Sequence, residues 1–160
     1  MTTSSFATQT LSPQQLYKDF LQNRQFSQQD EQALGLELLS PDDTFVLLGH
    51  TRDWSIKLPY RDWSGTDTGF HRVRLLHPKS KMKYSQPRAS GSHIFFPVGP
   101  QWKNISQDVD IPIIITEGEF KAWQIWKFCQ ANQLQYVPIG LAGVTSWGDK
   151  QGLPLHKDLM

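Results

Sequence analysis

The run Ile111-Pro112-Ile113-Ile114-Ile115, followed at once by Thr116-Glu117-Gly118-Glu119, constrains this chain more than any other segment. An uninterrupted aliphatic, β-branched run of this length is expected of a parallel strand buried on both faces. Pro112 lacks an N–H, so it belongs among the strand's first residues or at an edge. Residues 119–130 then place Ala122, Ile125, Trp126 and Cys129 on one helical face, and residues 136–141 read as a second strand. Strand, helix and strand in this order form a βαβ unit, with parallel pairing and a right-handed crossover.

The rest of the chain prepares for that unit. Residues 1–10 read as a disordered polar tail. Ser12-Pro13-Gln14-Gln15 starts a helix, with Ser12 as its cap and Pro13 in its first position. A second short helix starts at Ser27, with Asp30 and Glu31 in its first turn. Residues 11–44 therefore form a helical lead-in, in which neither helix carries chemistry. From Phe45 the pattern is that of strands: residues 45–48, residues 56–60, a turn over 62–66, a returning strand over 69–75 and a further strand over 93–96. Residues 78–92 form a basic loop with one short extended piece at Lys83-Tyr84. The expected division is a β subdomain over 45–97, a connector over 98–110 and the βαβ unit over 111–160. The class is α/β, or α+β when the whole chain is counted.

Composition narrows the setting. A hydrophobic fraction of 38% supports a modest core and excludes a disordered chain. No apolar run approaches bilayer length, and the first residues carry neither a basic leader nor an apolar stretch. Cys129 is the only cysteine, which excludes an internal disulfide and a thiolate metal cluster. A cytoplasmic location is the resulting expectation. Net charge is +1, yet the segment 57–88 holds eight of the sixteen Lys+Arg residues and two acids, for a net +6 against −5 elsewhere. Such asymmetry points to a polyanion-facing segment.

Three groups of residues are candidates for chemistry. Glu117 stands at the carboxyl end of a strand, where α/β folds bind ligands, and Gly118 lets the backbone turn close to a phosphate or a metal. Placement of Glu117 and Glu119 at a helix N-terminus suits the helix dipole equally well, so the residues alone leave both readings open. Gly140-Leu141-Ala142-Gly143-Val144-Thr145-Ser146-Trp147-Gly148 offers a tight turn with exposed N–H groups, Gly140 and Gly143 being its phosphate-accommodating positions; the alternative is an ordinary connection with Trp147 plugging the core. Arg72, Arg74, Lys79, Lys81, Lys83, Tyr84 and Arg88 interleave positive charge with an aromatic ring, as a groove for single strands does. A solvated basic surface is the competing reading. The five histidines lack metal-ligand spacing, and most of the tryptophans are expected in the core or in a lid.

The order of motifs carries a resemblance. Pro59-Tyr60-Arg61-Asp62-Trp63-Ser64-Gly65, Gly69-Phe70-His71-Arg72-Val73-Arg74-Leu75, Lys83-Tyr84-Ser85-Gln86-Pro87 and His93-Ile94-Phe95-Phe96-Pro97 resemble the small β subdomain that precedes the toprim fold in bacterial-type DNA primases. Thr116-Glu117-Gly118-Glu119-Phe120-Lys121-Ala122 and the Gly140 turn resemble the toprim glutamate motif and its following glycine turn. The chain is most similar to a toprim-like domain family of unknown function, found beside helicase or primase modules in plasmid, phage and bacterial proteins. The resemblance implies a catalytic or metal-linked role for Glu117 and Mg²⁺ as the cofactor. It also implies single-stranded DNA or nucleotide as the ligand, in a DNA-replication or mobile-element setting. A helicase or primase module, or self-association, would supply the partner. Toprim enzymes complete their Mg²⁺ site with an Asp-x-Asp pair after a later strand, and this sequence has none. Asp149 and Asp158 are isolated substitutes that follow no apolar strand. The chain stops where the next toprim helix would start, so a fragment or truncated homologue, inactive in isolation, is expected.

Overall fold

The computed structural model describes residues 11–79, 81–99 and 101–143. The tail over 1–10, Trp147, Asp149 and Asp158 lie outside the described residues. Helix α1 (Pro13–Asn23) is capped by Ser12, whose side chain accepts from the Gln15 N–H at 3.2 Å. Helix α2 (Gln28–Leu34) starts on a reciprocal capping box between Ser27 and Asp30 and ends on Gly35 in the left-handed region. Both helices start where the sequence places them.

Residues 45–48, expected as a strand, are instead the second half of helix α3 (Pro41–Leu48). The reason lies just upstream. Ser40 caps the helix, Pro41 fits its first position, and Asp42 and Asp43 complement its dipole. Gly49 at φ 75° then closes it. A three-residue strand between the helices, β1 (Glu37–Leu39), had no readable signature in the sequence.

β1, β2 (Ser55–Arg61), β3 (Asp67–Leu75) and β4 (Tyr84–Ser85) form an antiparallel sheet in that order. Pro59 is tolerated in central β2 because β1 pairs only with residues 55–57 and the register shifts between Pro59 and Arg61. Ile56, Leu58 and Tyr60 alternate into the main core, while Val73 meets Leu39 and Leu48 on the opposite face.

The second sheet has the order β5-β7-β6. Its strands are β5 (Ile94–Phe95), β6 (Ile113–Glu117) and β7 (Val137–Leu141). β6 and β7 run parallel around α5 (Glu119–Ala131), as the βαβ reading requires. β5 pairs antiparallel with β7, so the strand expected to close the β subdomain belongs to the second sheet. Short helix α4 (Trp102–Ser106) drops Trp102 into the core, where its ring meets Trp126 and Phe96. The βαβ prediction needs one correction: β6 is not buried on both faces. Among the described residues it is the sheet's edge, with Ile113 55% and Ile115 54% exposed, and β7 is the strand buried throughout. A single apolar core nevertheless joins the two sheets, since α1, α2, β2, β3, β5, α5 and β7 all contribute to it.

Candidate functional site

Glu117 ends β6, and the chain turns at once into α5 through Gly118 at φ 92° and ψ 151°, a conformation that only glycine adopts without strain. The Gly118 N–H donates to the Leu141 carbonyl at 2.7 Å, which locks the turn onto the end of β7. Gly140 lies beneath it inside β7. A Cβ there would stand 3.0 Å from the Gly118 oxygen and 3.1 Å from the Glu119 Cα. Gly140 therefore supports the turn by close approach and offers no exposed N–H to a phosphate. Gly143 is two residues past the end of β7, and its neighbour Ala142 borders the cleft described next.

The turn opens into a cleft of about 580 Å³ lined by Arg24, Arg72, Tyr84, Glu117, Lys121 and Gln124 among others. Glu117 is exposed in it and has no hydrogen-bond or ion-pair partner among the described residues. Glu119 behaves in the opposite way. It is 2% exposed, accepts from the Tyr60 hydroxyl at 2.6 Å and forms an ion pair with Arg72. Burial pushes the Tyr60 phenol well above its ordinary value, and the Glu119 charge adds to that. Burial works against the charge on Arg72, but Glu119 and Tyr60 outweigh it and hold the guanidinium more firmly protonated than usual. Its Nε is buried without a partner.

The basic residues predicted to bind nucleic acid separate into groups. Arg72 is committed to Glu119 and presents only an edge to the cleft. Arg74 donates to the Tyr84 hydroxyl at 3.2 Å, and Tyr84 forms part of the cleft wall. Lys81, Lys83 and Arg88 are exposed on the segment around β4, and Lys79 lines a different cleft.

Two cations of the first cleft were not found from sequence. Arg24, at the C-terminal end of α1, lies 4.1 Å from the Phe20 ring centroid and 5.3 Å from that of Phe120. Burial and the neighbouring Arg74 charge lower its pKa. The lead-in helices thus do contribute to the site, contrary to the reading that they carry no chemistry. Lys121 is the third residue of α5 and borders the same cleft from the helix's first turn. With Arg72 and Glu119 neutralising one another, Arg24 and Lys121 face a single unpartnered carboxylate.

Among the described residues no three His, Cys, Asp or Glu side chains converge on a metal position. Glu117 stands alone and Glu119 is spent on Tyr60 and Arg72. The described residues by themselves do not fit a resident Mg²⁺, which needs further carboxylate or phosphate oxygens. No described helix is long and apolar enough to cross a membrane.

Comparisons with known proteins bear on the fold. Residues 101–158 match the family model described as a domain of unknown function, DUF3854. The fold is similar to the DnaG primase catalytic domain bound to single-stranded DNA (14% identity, TM-score 0.52, 86% of this chain and 51% of that one). It is similar also to the E. coli primase catalytic core (14% identity, TM-score 0.53, 85% of this chain and 50% of that one). A third structure of the DnaG catalytic core gives a TM-score of 0.51 at 14% identity, over 80% of this chain and 47% of that one. This chain therefore spans about half the length of the primase structures that it matches. No curated protein matches it. The chain has a toprim-like fold similar to primase catalytic cores, and over residues 101–158 it is similar to the DUF3854 domain of unknown function.

Proposed function

We propose that this chain is a primase-like toprim module that binds single-stranded nucleic acid or nucleotide in the cleft beside Glu117, as part of a cytoplasmic DNA-replication or mobile-element protein. The observation that carries this reading is an unpartnered carboxylate at the end of a parallel strand, facing Arg24, Lys121 and the Tyr84 ring in one cleft. Cations there attract phosphates by charge, and an aromatic wall gives a base a surface to stack on. The similarity to a primase domain bound to single-stranded DNA supports the same ligand class. Glu117 would contribute one oxygen ligand to a Mg²⁺ site for phosphoryl transfer, completed by phosphate and by residues outside this chain. The chain alone is inactive on this reading.

Fluorescence anisotropy with a single-stranded oligonucleotide across a salt series tests the binding. Arg24→Ala and Lys121→Ala should each weaken it and reduce the salt slope by about 1. Unchanged affinity in both variants would exclude the cleft.

A second reading is favoured by the bare edge of β6. There the chain is a non-catalytic assembly module that completes its sheet with a strand from a helicase, a primase module or a second copy. Light scattering that gives a monomer at all concentrations would remove self-association.

A further inference from the structure

A second cleft, of about 430 Å³, lies around β4 and is separated from the first by Tyr84, which borders both. Its lining comes from three places: the loop after α3 (His50, Thr51, Arg52, Asp53), the end of β3 with its following loop (Leu75, His77, Lys79), and β4 with the residues before it (Met82, Tyr84, Ser85). The volume is that of a small-molecule site. The first cleft's reading uses none of these residues except Tyr84.

The lining is divided by chemistry. Leu75, Met82 and Tyr84 supply an apolar and aromatic wall. Arg52 and Lys79 supply cationic heads. Arg52 is oriented in advance: it pairs with Asp42 and lies 4.3 Å from the Phe45 ring centroid, which leaves further guanidinium N–H groups to donate. Because both members of that pair are exposed, little energy opposes its rearrangement toward a ligand. Lys79 has no partner among the described residues. Asp53 is engaged by His77, through the backbone N–H at 3.2 Å and the ring Nδ1 at 3.5 Å. His50 is fixed between the Leu48 carbonyl at 2.7 Å and the Ser85 hydroxyl at 3.2 Å. Thr51 and Ser85 add short hydroxyls.

We propose that this second cleft binds a nucleoside monophosphate, with its base against Leu75, Met82 and Tyr84 and its phosphate on Arg52 and Lys79. An amphiphilic anion with a flat body and one charged end matches a cleft that has one apolar wall and one cationic rim. Arg52 and Lys79 are the two cations of the lining, and Arg52 is already shared with Asp42, which suits a single phosphate and disfavours a triphosphate. The proposal stands apart from the reading of the Glu117 cleft, because it needs neither Glu117 nor a metal.

Isothermal titration of the whole chain with adenosine 5′-monophosphate, without divalent metal, tests it. Arg52→Ala and Lys79→Ala should each weaken binding about tenfold. Lys103→Ala, which removes an exposed cation on α4 outside both clefts, should bind the mononucleotide as the unaltered chain does. Saturating single-stranded oligonucleotide should leave that binding in place. Three results would overturn the proposal: no binding at millimolar mononucleotide, indifference to both Arg52→Ala and Lys79→Ala, or full displacement by the oligonucleotide. Displacement would make the second cleft a continuation of a strand path over Tyr84. Thermal melts of the variants confirm that each is folded, and loss of oligonucleotide binding alone would leave the mononucleotide result intact.

Discussion

β2 and β6 are both short aliphatic strands beginning a few residues after a proline-marked or loop segment, yet they occupy opposite situations. In β2 the residues Ile56, Leu58 and Tyr60 alternate with Ser55, Lys57, Pro59 and Arg61, and the apolar set is 0–2% exposed beneath neighbours on either side. In β6 there is no alternation. Ile113, Ile114 and Ile115 place aliphatic side chains on both faces, and β6 is the edge of its sheet among the described residues, with Ile113 and Ile115 half bare. A strand that alternates needs cover on one face and has it. A strand that is apolar on both faces is built for cover that the described residues supply on one side only. The two sheets therefore differ in how far the described residues cover them, and that difference can be tested.

The largest test of this contrast lies at the junction of the two sheets. Glu119→Ala removes the carboxylate that Tyr60 and Arg72 share and leaves a buried guanidinium without compensation. The expected loss is about 3–5 kcal/mol of unfolding free energy in a denaturant titration. Glu119→Gln, which keeps an acceptor for Tyr60, should lose less. A loss for Glu119→Ala indistinguishable from that of an exposed acid such as Glu117 would show that the sheets are held by apolar contact alone.

Next in size is Asp30, which ties α2 to α5. It accepts from the Trp123 indole at 3.0 Å and pairs with Lys127 at 2.7 Å. Burial raises its pKa, but Lys127, Ser27 and Trp123 outweigh burial and hold it below the ordinary 3.8. Its folded pKa is depressed, so its contribution is fully present above pH 3.8 and is lost as pH falls through the folded value. Asp30→Asn should cost about 1.5–3 kcal/mol at neutral pH. It should also flatten the acid limb of stability against pH. An acid limb identical in the two proteins would assign the acid sensitivity elsewhere.

Gly140→Ala is the third. Its Cβ would press on the backbone of Gly118 and Glu119, at 3.0–3.2 Å, and overpacking of that kind costs about 1–3 kcal/mol. Oligonucleotide affinity should fall with it, because the turn that carries Glu117 must shift. Unchanged stability would mean that the turn yields freely, and the account of Gly140 as its support would fail.

These positions also show what the sequence made legible. The caps at Ser12 and Ser27, the β2–β3 hairpin, and the βαβ unit with Gly118 as its turn follow from local pattern and are found as expected. Helix α3 is ambiguous in the sequence because four consecutive apolar residues, 45–48, fit either a strand or a helix, and the Ser40-Pro41-Asp42-Asp43 start upstream decides for the helix. The edge position of β6 was missed because burial depends on what packs against a strand, which its own composition does not contain. The site divides in the same way. Glu117 was legible as a strand end, whereas Arg24 reaches the cleft only through the packing of Phe20 on Phe120. Arg72 looked like a free cation because nothing local shows that Glu119, 47 residues later, will neutralise it.

The smallest expected effect on stability is also the sharpest test of the comparison. Ile113→Lys and Ile115→Lys replace half-exposed side chains on an edge strand, so each should alter unfolding free energy by no more than about 0.5 kcal/mol. The same exchange at Ile56, which is fully buried in β2, should prevent folding or destabilise severely. What the β6 variants should change is association. Lysine on an edge strand opposes the approach of another strand through charge and desolvation. If the bare edge is a docking surface, concentration-dependent light scattering should show association in the unaltered chain and its loss in both variants. Equal scattering in all three would leave β6 as an edge that tolerates solvent, and the assembly reading would lose its only structural support. A β6 variant that unfolds like Ile56→Lys would instead show that the edge is covered, and the contrast between the two sheets would collapse.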